Sequence, residues 1–145
     1  MGDCVFCNIV NGVALASVVY ADEKVMAIMD IQPVNSGHML IIPKAHAAQL
    51  SELDKETGAH MFKIAMCIAE ALGQSRIKCE GINLFLADGE AAFQDIFHVH
   101  LHVIPRFKGD GFEIKVGPHY SLKPGRKELN RIAEKIRDAM RWSIT

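Results

Sequence analysis

The chain has no apolar run approaching the roughly 18 residues that a membrane span needs, so no membrane helix is expected. It has no internal repeat and no low-complexity segment, which excludes solenoids and propellers. The net charge is −1, so there is no overall basic field for nucleic acid and no acidic tail. Aromatic residues are few, with one tryptophan and two tyrosines. The start, MGDCVFCNIV, lacks the basic segment and long apolar core of a secretory signal, so a cytoplasmic protein is expected. Only four cysteines occur, Cys4, Cys7, Cys67 and Cys79, and in a reducing compartment they are not expected to form structural disulfides.

What remains is a chain of 145 residues, half of them hydrophobic, the size of one domain. Cys67 lies in an apolar helical pattern and reads as a core residue, and Cys79 reads as a bystander. Cys4 and Cys7 form a C-x-x-C. On its own this pair is a redox couple, half of a zinc site or an accident, and no thioredoxin-like context surrounds it.

The elements follow from periodicity and turn residues. CVFCNIVNG is a helix seed closed by Gly12. Residues 17–22 and 24–30 read as two strands joined at Asp22-Glu23, and 38–44 as a third, buried strand. The main helix starts at Leu53 or Asp54, carries Met61, Ile64, Ala65 and Ile68 at helical spacing, and leaves at Gly73. Residues 81–89 are a fourth strand. Residues 107–124 are a surface segment of little periodicity. A final helix carries Leu129, Ile132, Ile136 and Met140 as an apolar stripe. Its mixed charge favours a docked surface helix over a membrane-binding one. The expected class is α+β: a five-stranded antiparallel sheet with one long helix and a C-terminal helix.

The fifth strand carries the strongest signal. In FHVHLHVIPR, His98, His100 and His102 stand at alternate positions, separated by Val99 and Leu101. In a strand, residues two apart point to one face. The spacing predicts a half-buried strand over 98–104 with a histidine face, Val99, Leu101 and Val103 entering the core, and Pro105 ending the run. Three imidazoles in register suit a metal site, or nucleophilic and acid–base chemistry near neutral pH.

HVHLHVI resembles the motif of the histidine-triad (HIT) family of nucleotide hydrolases and transferases. MDIQPVNSGHMLIIPKAH resembles that family's aspartate-bearing strand, proline-containing loop and following G-H strand, and NLFLADGEAAFQDIF resembles its phosphate loop. The resemblance covers roughly residues 3–106, within a single domain of 1–145 whose remainder, 107–145, is an extension. It implies a homodimer whose sheets adjoin. It also implies a purine nucleotide substrate attacked at its α-phosphorus by His100, through a nucleotidyl-histidine intermediate that water then hydrolyses. His98 would orient His100 through its carbonyl, His102 would contact the phosphate and leaving-group side, and His38 matches a fourth catalytic-site histidine. Without the resemblance, His38 reads as a core histidine. Asp30 matches the residue that accepts from ribose hydroxyls. Val5, Phe6, Ile9, Ile28 and Ile31 match an apolar wall around the base, and Gln94 and Asp95 belong to the phosphate loop. A subset of the family carries structural zinc, and its ligands correspond here to Cys4, Cys7, His46 and His98.

Three positions depart from the family pattern. Ala87 stands where an amide is common, Phe93 where glycine is common, and Asp95 where a hydroxyl is common. A carboxylate at 95 repels phosphate, so its side chain is expected to turn to a backbone donor or a basic partner. Two other functions are consistent with the sequence: a hydrolase whose three motif histidines ligate a catalytic metal, and a nucleotide-binding module with little catalysis.

Overall fold

A computed structural model of the chain describes residues 4–140. These form two compact units, one ending at Phe112 and one beginning at Glu113. The first holds helix α1 (Val5–Val10), strands β1 (Val18–Ala21), β2 (Val25–Met29) and β3 (Met39–Pro43), helix α2 (Lys55–Gln74), and strands β4 (Gly81–Phe85) and β5 (Leu101–Arg106). The second holds α3 (Arg126–Met140), none of whose residues is buried. No described helix is long and apolar enough to cross a membrane.

The five strands make one antiparallel sheet in the order β1-β2-β3-β5-β4, so the fold is the α+β architecture expected from the sequence. Side-chain alternation divides the sheet into two faces. Val25 and Ala27 of β2, Met39 and Ile41 of β3, and Val103 of β5 pack with Met61, Ile64, Ala65, Ile68 and Leu72 of α2. The opposite face sets Ile28, Leu40 and Ile42 against Phe6, with Ile9 and Val10 of α1 packed beside them. β3 is central and buried along its whole length, as its unbroken apolar sequence implies.

Helix α2 begins where the sequence places it. Asp54 is its N-cap and accepts from the Thr57 N–H. It continues past Gly73 to Gln74, with Ser75 closing the last turn. Cys67 is exposed, contrary to the core assignment, because it lies off the buried stripe of a helix that also exposes Phe62 and Met66. Cys79, expected to be a bystander, is partly buried against the α2-side core.

The histidine segment differs from its sequence reading in two ways. Regular pairing begins at Leu101, and it runs through Pro105 to Arg106. β3 pairs with β5 only from Leu101 to Val103, so Pro105 is paired on the β4 side alone and no β3 bond is required of it. The histidine side is also not a half-exposed face, since His98 and His100 are both buried beneath α1. Phe6 supplies that cover, its ring centroid 5.7 Å from His98 and 5.2 Å from His100.

Candidate active site and metal site

The sheet brings the motif histidines to one side, and backbone groups fix their tautomers. A carbonyl only accepts, and His98 O lies 2.8 Å from His100 Nδ1. Neutral His100 therefore carries its proton on Nδ1 and keeps a lone pair on Nε2. A backbone N–H only donates, and Val34 N lies 3.0 Å from His38 Nδ1. His38 therefore carries its proton on Nε2, which sits 2.9 Å from His102 Nδ1. That nitrogen accepts, so His102 presents an Nε2–H. Burial holds His38 below the ordinary histidine range, with Asp30 opposing the effect. Burial, then the nearby His100 and His38, bring His102 down to about 4. Both rings are neutral near pH 7.

Sequence explains how these groups are delivered. Asp30 follows β2 directly and His38 precedes β3, so the two strands hand them to the same end of the sheet. The Asp30 N–H bonds to His38 O at 3.0 Å, and Asp30 Oδ2 stands 3.4 Å from His38 Nε2. Gly37 adopts φ +93°, and a β-carbon there would meet Ile77 at 3.0 Å and Pro105 at 3.2 Å. Only glycine admits this close turn before His38.

A cavity of about 330 Å³ opens beside these rings. Val5, Phe6, Ile9, Ile28 and Ile31 line it together with Asp30, Asp95, His100 and His102. Sequence reasoning missed Leu15, Ala16, Met29, Gln32, Leu40 and Ile96 in the same wall. Leu40 was legible in principle, because it lies two residues from His38 on a strand and pairs with His102. Leu15 and Ala16, in the loop after α1, carry no such signal.

Gln94 is not among the residues that line this cavity. Its side chain is buried and braces the loop. Its oxygen accepts from Gly89 N at 2.7 Å, and its nitrogen donates to Ala48 O at 2.7 Å and Ile96 O at 3.1 Å. Ala87 is buried. Phe93 takes the left-handed conformation, φ +69°, where glycine is the easy residue. Asp95 does turn to a backbone donor, Ile96 N, at 2.9 Å. Even so, its Oδ1 stands 4.0 Å from His100 Nε2.

A second cluster lies behind His98. Its Nε2–H donates to Pro43 O at 2.8 Å, leaving the Nδ1 lone pair free to turn to the cysteines. His98 Nδ1 is 3.4 Å from Cys4 Sγ, 3.6 Å from Cys7 Sγ and 3.2 Å from His46 Nδ1, and Cys7 Sγ is 3.3 Å from His46 Nδ1. Zinc bonds of about 2.3 Å to sulfur and 2.0–2.1 Å to nitrogen put tetrahedral edges at about 3.3–3.8 Å. The four separations lie close to these edges, and all four donor atoms lie within 4.8 Å of one another, so the cluster is compatible with zinc. Burial, then Cys4, push the Cys7 thiol up, and a divalent cation among these donors favours the thiolate instead. Asp30, His38 and His102 also lie close enough to hold an ion. There, however, the Val34 N–H occupies His38 Nδ1, so His38 Nε2 bears a proton and is no ligand. The three motif histidines form no common metal site among the described residues, because their rings serve three different partners.

The HIT domain family model matches residues 11–109. The chain belongs to the HIT family. It is 34% identical to the adenosine 5'-monophosphoramidase hnt1 of Schizosaccharomyces pombe over 92% of this chain and 95% of that one. The crystal structure of a HIT family protein from Bacillus anthracis superposes with a TM-score of 0.86 at 38% identity, covering 94% of this chain and 96% of that one. A zinc-bound histidine triad family protein from Mycobacterium smegmatis gives a TM-score of 0.74 at 39% identity, covering 95% and 98%.

Proposed function

We propose that this HIT protein hydrolyses or transfers AMP-like purine nucleotides at the α-phosphorus through a nucleotidyl-histidine intermediate. One observation carries the reading. The His98 carbonyl holds the proton of His100 on Nδ1, and the Nε2 lone pair stands free at the wall of the cavity that Asp30 also lines. In the neutral ring that nitrogen is a nucleophile without prior loss of a proton.

In the first step the His100 Nε2 lone pair forms a bond to phosphorus. The bond from phosphorus to the leaving atom breaks, and the leaving atom keeps the electron pair. His102 Nε2–H donates to the phosphate and leaving-group side. In the second step water attacks phosphorus and gives up a proton to solvent, the N–P bond breaks with its electron pair returning to His100 Nε2, and the mononucleotide departs. Asp30 accepts from the ribose hydroxyls. Val5, Phe6, Ile9, Ile28 and Ile31 enclose the base. Such a wall discriminates weakly between bases, so orientation rests on Asp30 and the histidines. The relative named a monophosphoramidase agrees with this reaction class.

Cys4, Cys7, His46 and His98 would hold zinc, whose chemistry there is that of a structural crosslink. It ties α1 to the strand segment that carries His98, and so fixes Phe6 over His100. The sheet ends in β1 and β4, which expose Val18, Val19, Leu84 and Phe85. An edge of this kind is paired or covered in a stable protein, which supports a homodimer. The four free cysteines suit a cytoplasmic location.

A second reading, a binding module with little turnover, is favoured by one observation: the Asp95 carboxylate faces His100 Nε2 at 4.0 Å. Rapid-quench mass spectrometry with an adenosine 5'-phosphoramidate separates the two. A nucleotidyl adduct on His100 that forms and decays at the turnover rate is expected. Steady turnover without any adduct would remove the covalent mechanism, and binding without turnover would favour the module.

A further inference from the structure

The catalytic cavity is short of positive charge. Its lining among the described residues includes two carboxylates, Asp30 and Asp95, and neither lysine nor arginine. An anionic leaving group such as pyrophosphate, a polyphosphate tail or sulfate therefore meets no cation there. The hydrogen bonds that fix His38 and His102 use them as neutral groups.

The two carboxylates differ in position. Asp30 is largely buried, with Oδ1 accepting from Gln32 N at 2.8 Å and Oδ2 beside His38. Asp95 stands at the rim, its side chain 82% exposed, with Oδ1 4.0 Å from His100 Nε2. The Ile96 N–H, 2.9 Å from the same oxygen, keeps it at that rim. A phosphoryl group in contact with His100 Nε2 stands beside this carboxylate, and so does the group attached to phosphorus.

We propose that Asp95 is a specificity-determining residue that sorts substrates by the charge of the leaving group, favouring cationic amine-type groups and rejecting anionic ones. This rests on the hydrolase reading above. In the favoured case His100 Nε2 bonds to phosphorus as a phosphorus–nitrogen bond breaks. The leaving nitrogen keeps the pair, takes a proton from water and departs as an amine. Asp95 touches none of the reacting atoms. It attracts a positive charge carried elsewhere on the leaving group and repels a negative one. The neutral amide of Asn at this position keeps the acceptor for Ile96 N–H and removes only the charge.

The test uses three adenosine 5'-phosphoramidates, made from ethylenediamine, propylamine and glycine, whose leaving groups carry positive, zero and negative charge. Intrinsic reactivity differs among them, so each is compared between wild type and Asp95→Asn, with Asp95→Ser as a second variant. The cation-to-anion ratio of kcat/KM is expected to fall roughly ten-fold or more in both variants, a size set by a charge several ångströms away at an intermediate dielectric. The propylamine compound reads the effect on the phosphoryl group common to all three, which cancels in the ratio, and the fall is expected to shrink at high salt. Equal ratios in wild type and both variants would overturn the proposal. Dissociation constants of the same compounds on His100→Gln and His100→Gln/Asp95→Asn read the charge preference without turnover. An Asp95-dependent ranking in binding, with none of the compounds hydrolysed by wild type, supports the filter and overturns the hydrolase reading. Hydrolysis without an Asp95-dependent ranking does the reverse. Neither hydrolysis nor ranking overturns both.

Discussion

His98 and His100 share one carbonyl. His98 O accepts from His100 Nδ1 at 2.8 Å, while the His98 ring places Nδ1 within 3.4 Å of Cys4 Sγ and 3.6 Å of Cys7 Sγ. The residue that orients His100, the proposed nucleophile, through its backbone is therefore anchored through its side chain in the cysteine cluster. A third contact, from Nε2–H to Pro43 O at 2.8 Å, ties the same ring to the end of β3. Local chemistry at His100 depends on how firmly His98 is held.

Zinc removal is expected to act on stability first. About one zinc per chain should appear in native mass spectrometry. Cys4→Ser should lower the melting temperature by roughly 5–15 °C, since a structural zinc contributes folding free energy directly. The carbonyl of His98 also has the Pro43 anchor to keep it in place. At a temperature well below melting, kcat should fall by less than about three-fold. Equal melting curves for wild type and Cys4→Ser, both loaded with zinc, would remove the metal from this account.

His100→Ala should abolish turnover while adenosine monophosphate still binds. The expected loss in kcat is several orders of magnitude, with residual rate from positioning alone. Binding should change only a few-fold, because Asp30 and the apolar wall remain. Calorimetric titration of the variant and a turnover assay check the two halves separately. Wild-type-like kcat in this variant would end the case for His100 as the nucleophile.

The fold was legible because its signals are periodic. β3 is an unbroken apolar run, the Val99-Leu101-Val103 row alternates with the histidines as strands do, and Asp54 caps α2 as its sequence implies. The site was legible through spacing and resemblance together. Three points were not. Cys67 sits in an apolar stretch, but α2 is apolar beyond its buried stripe, so composition alone does not locate the core face. Gln94 matches a functional loop, yet its side chain bonds to Gly89 and Ile96 of that loop and to Ala48 O, a pairing across the chain that only the tertiary structure reveals. Leu15 and Ala16 join the cavity wall because the chain leaving α1 passes the site, and no local pattern records that path.

Phe93→Gly is expected to leave the protein as stable or slightly more stable. Phe93 holds φ +69° and is 85% exposed, so its ring contributes little burial. The left-handed conformation costs a non-glycine residue roughly 1–2 kcal/mol. Glycine removes that cost but adds about 0.5–1 kcal/mol of chain entropy to the unfolded state. The net expectation is a gain of up to about 1.5 kcal/mol, read from urea denaturation at unchanged slope. A loss above that size would mean that the exposed ring makes a contact, within this chain or with a partner, that sustains the loop.

The pH dependence of stability carries a signature of His102. Its folded value is lowered from 6.5 to about 4, by burial first and then by His100 and His38. Between those limits the unfolded chain binds a proton that the folded chain refuses, so stability rises with pH across that window. The contribution is complete above pH 6.5, is lost as pH falls toward 4, and is flat below. Its size is at most about 3 kcal/mol if the whole shift is expressed. His102→Gln has no such titration. The melting temperatures of the two proteins should therefore diverge between pH 4 and 6.5, with wild type losing more on acidification. The difference between the curves reports His102 together with the change its removal makes at His38, its hydrogen-bond partner. Parallel curves through that range would mean that His102 is not held neutral by its surroundings, and the donor role of its Nε2–H would lose its physical basis.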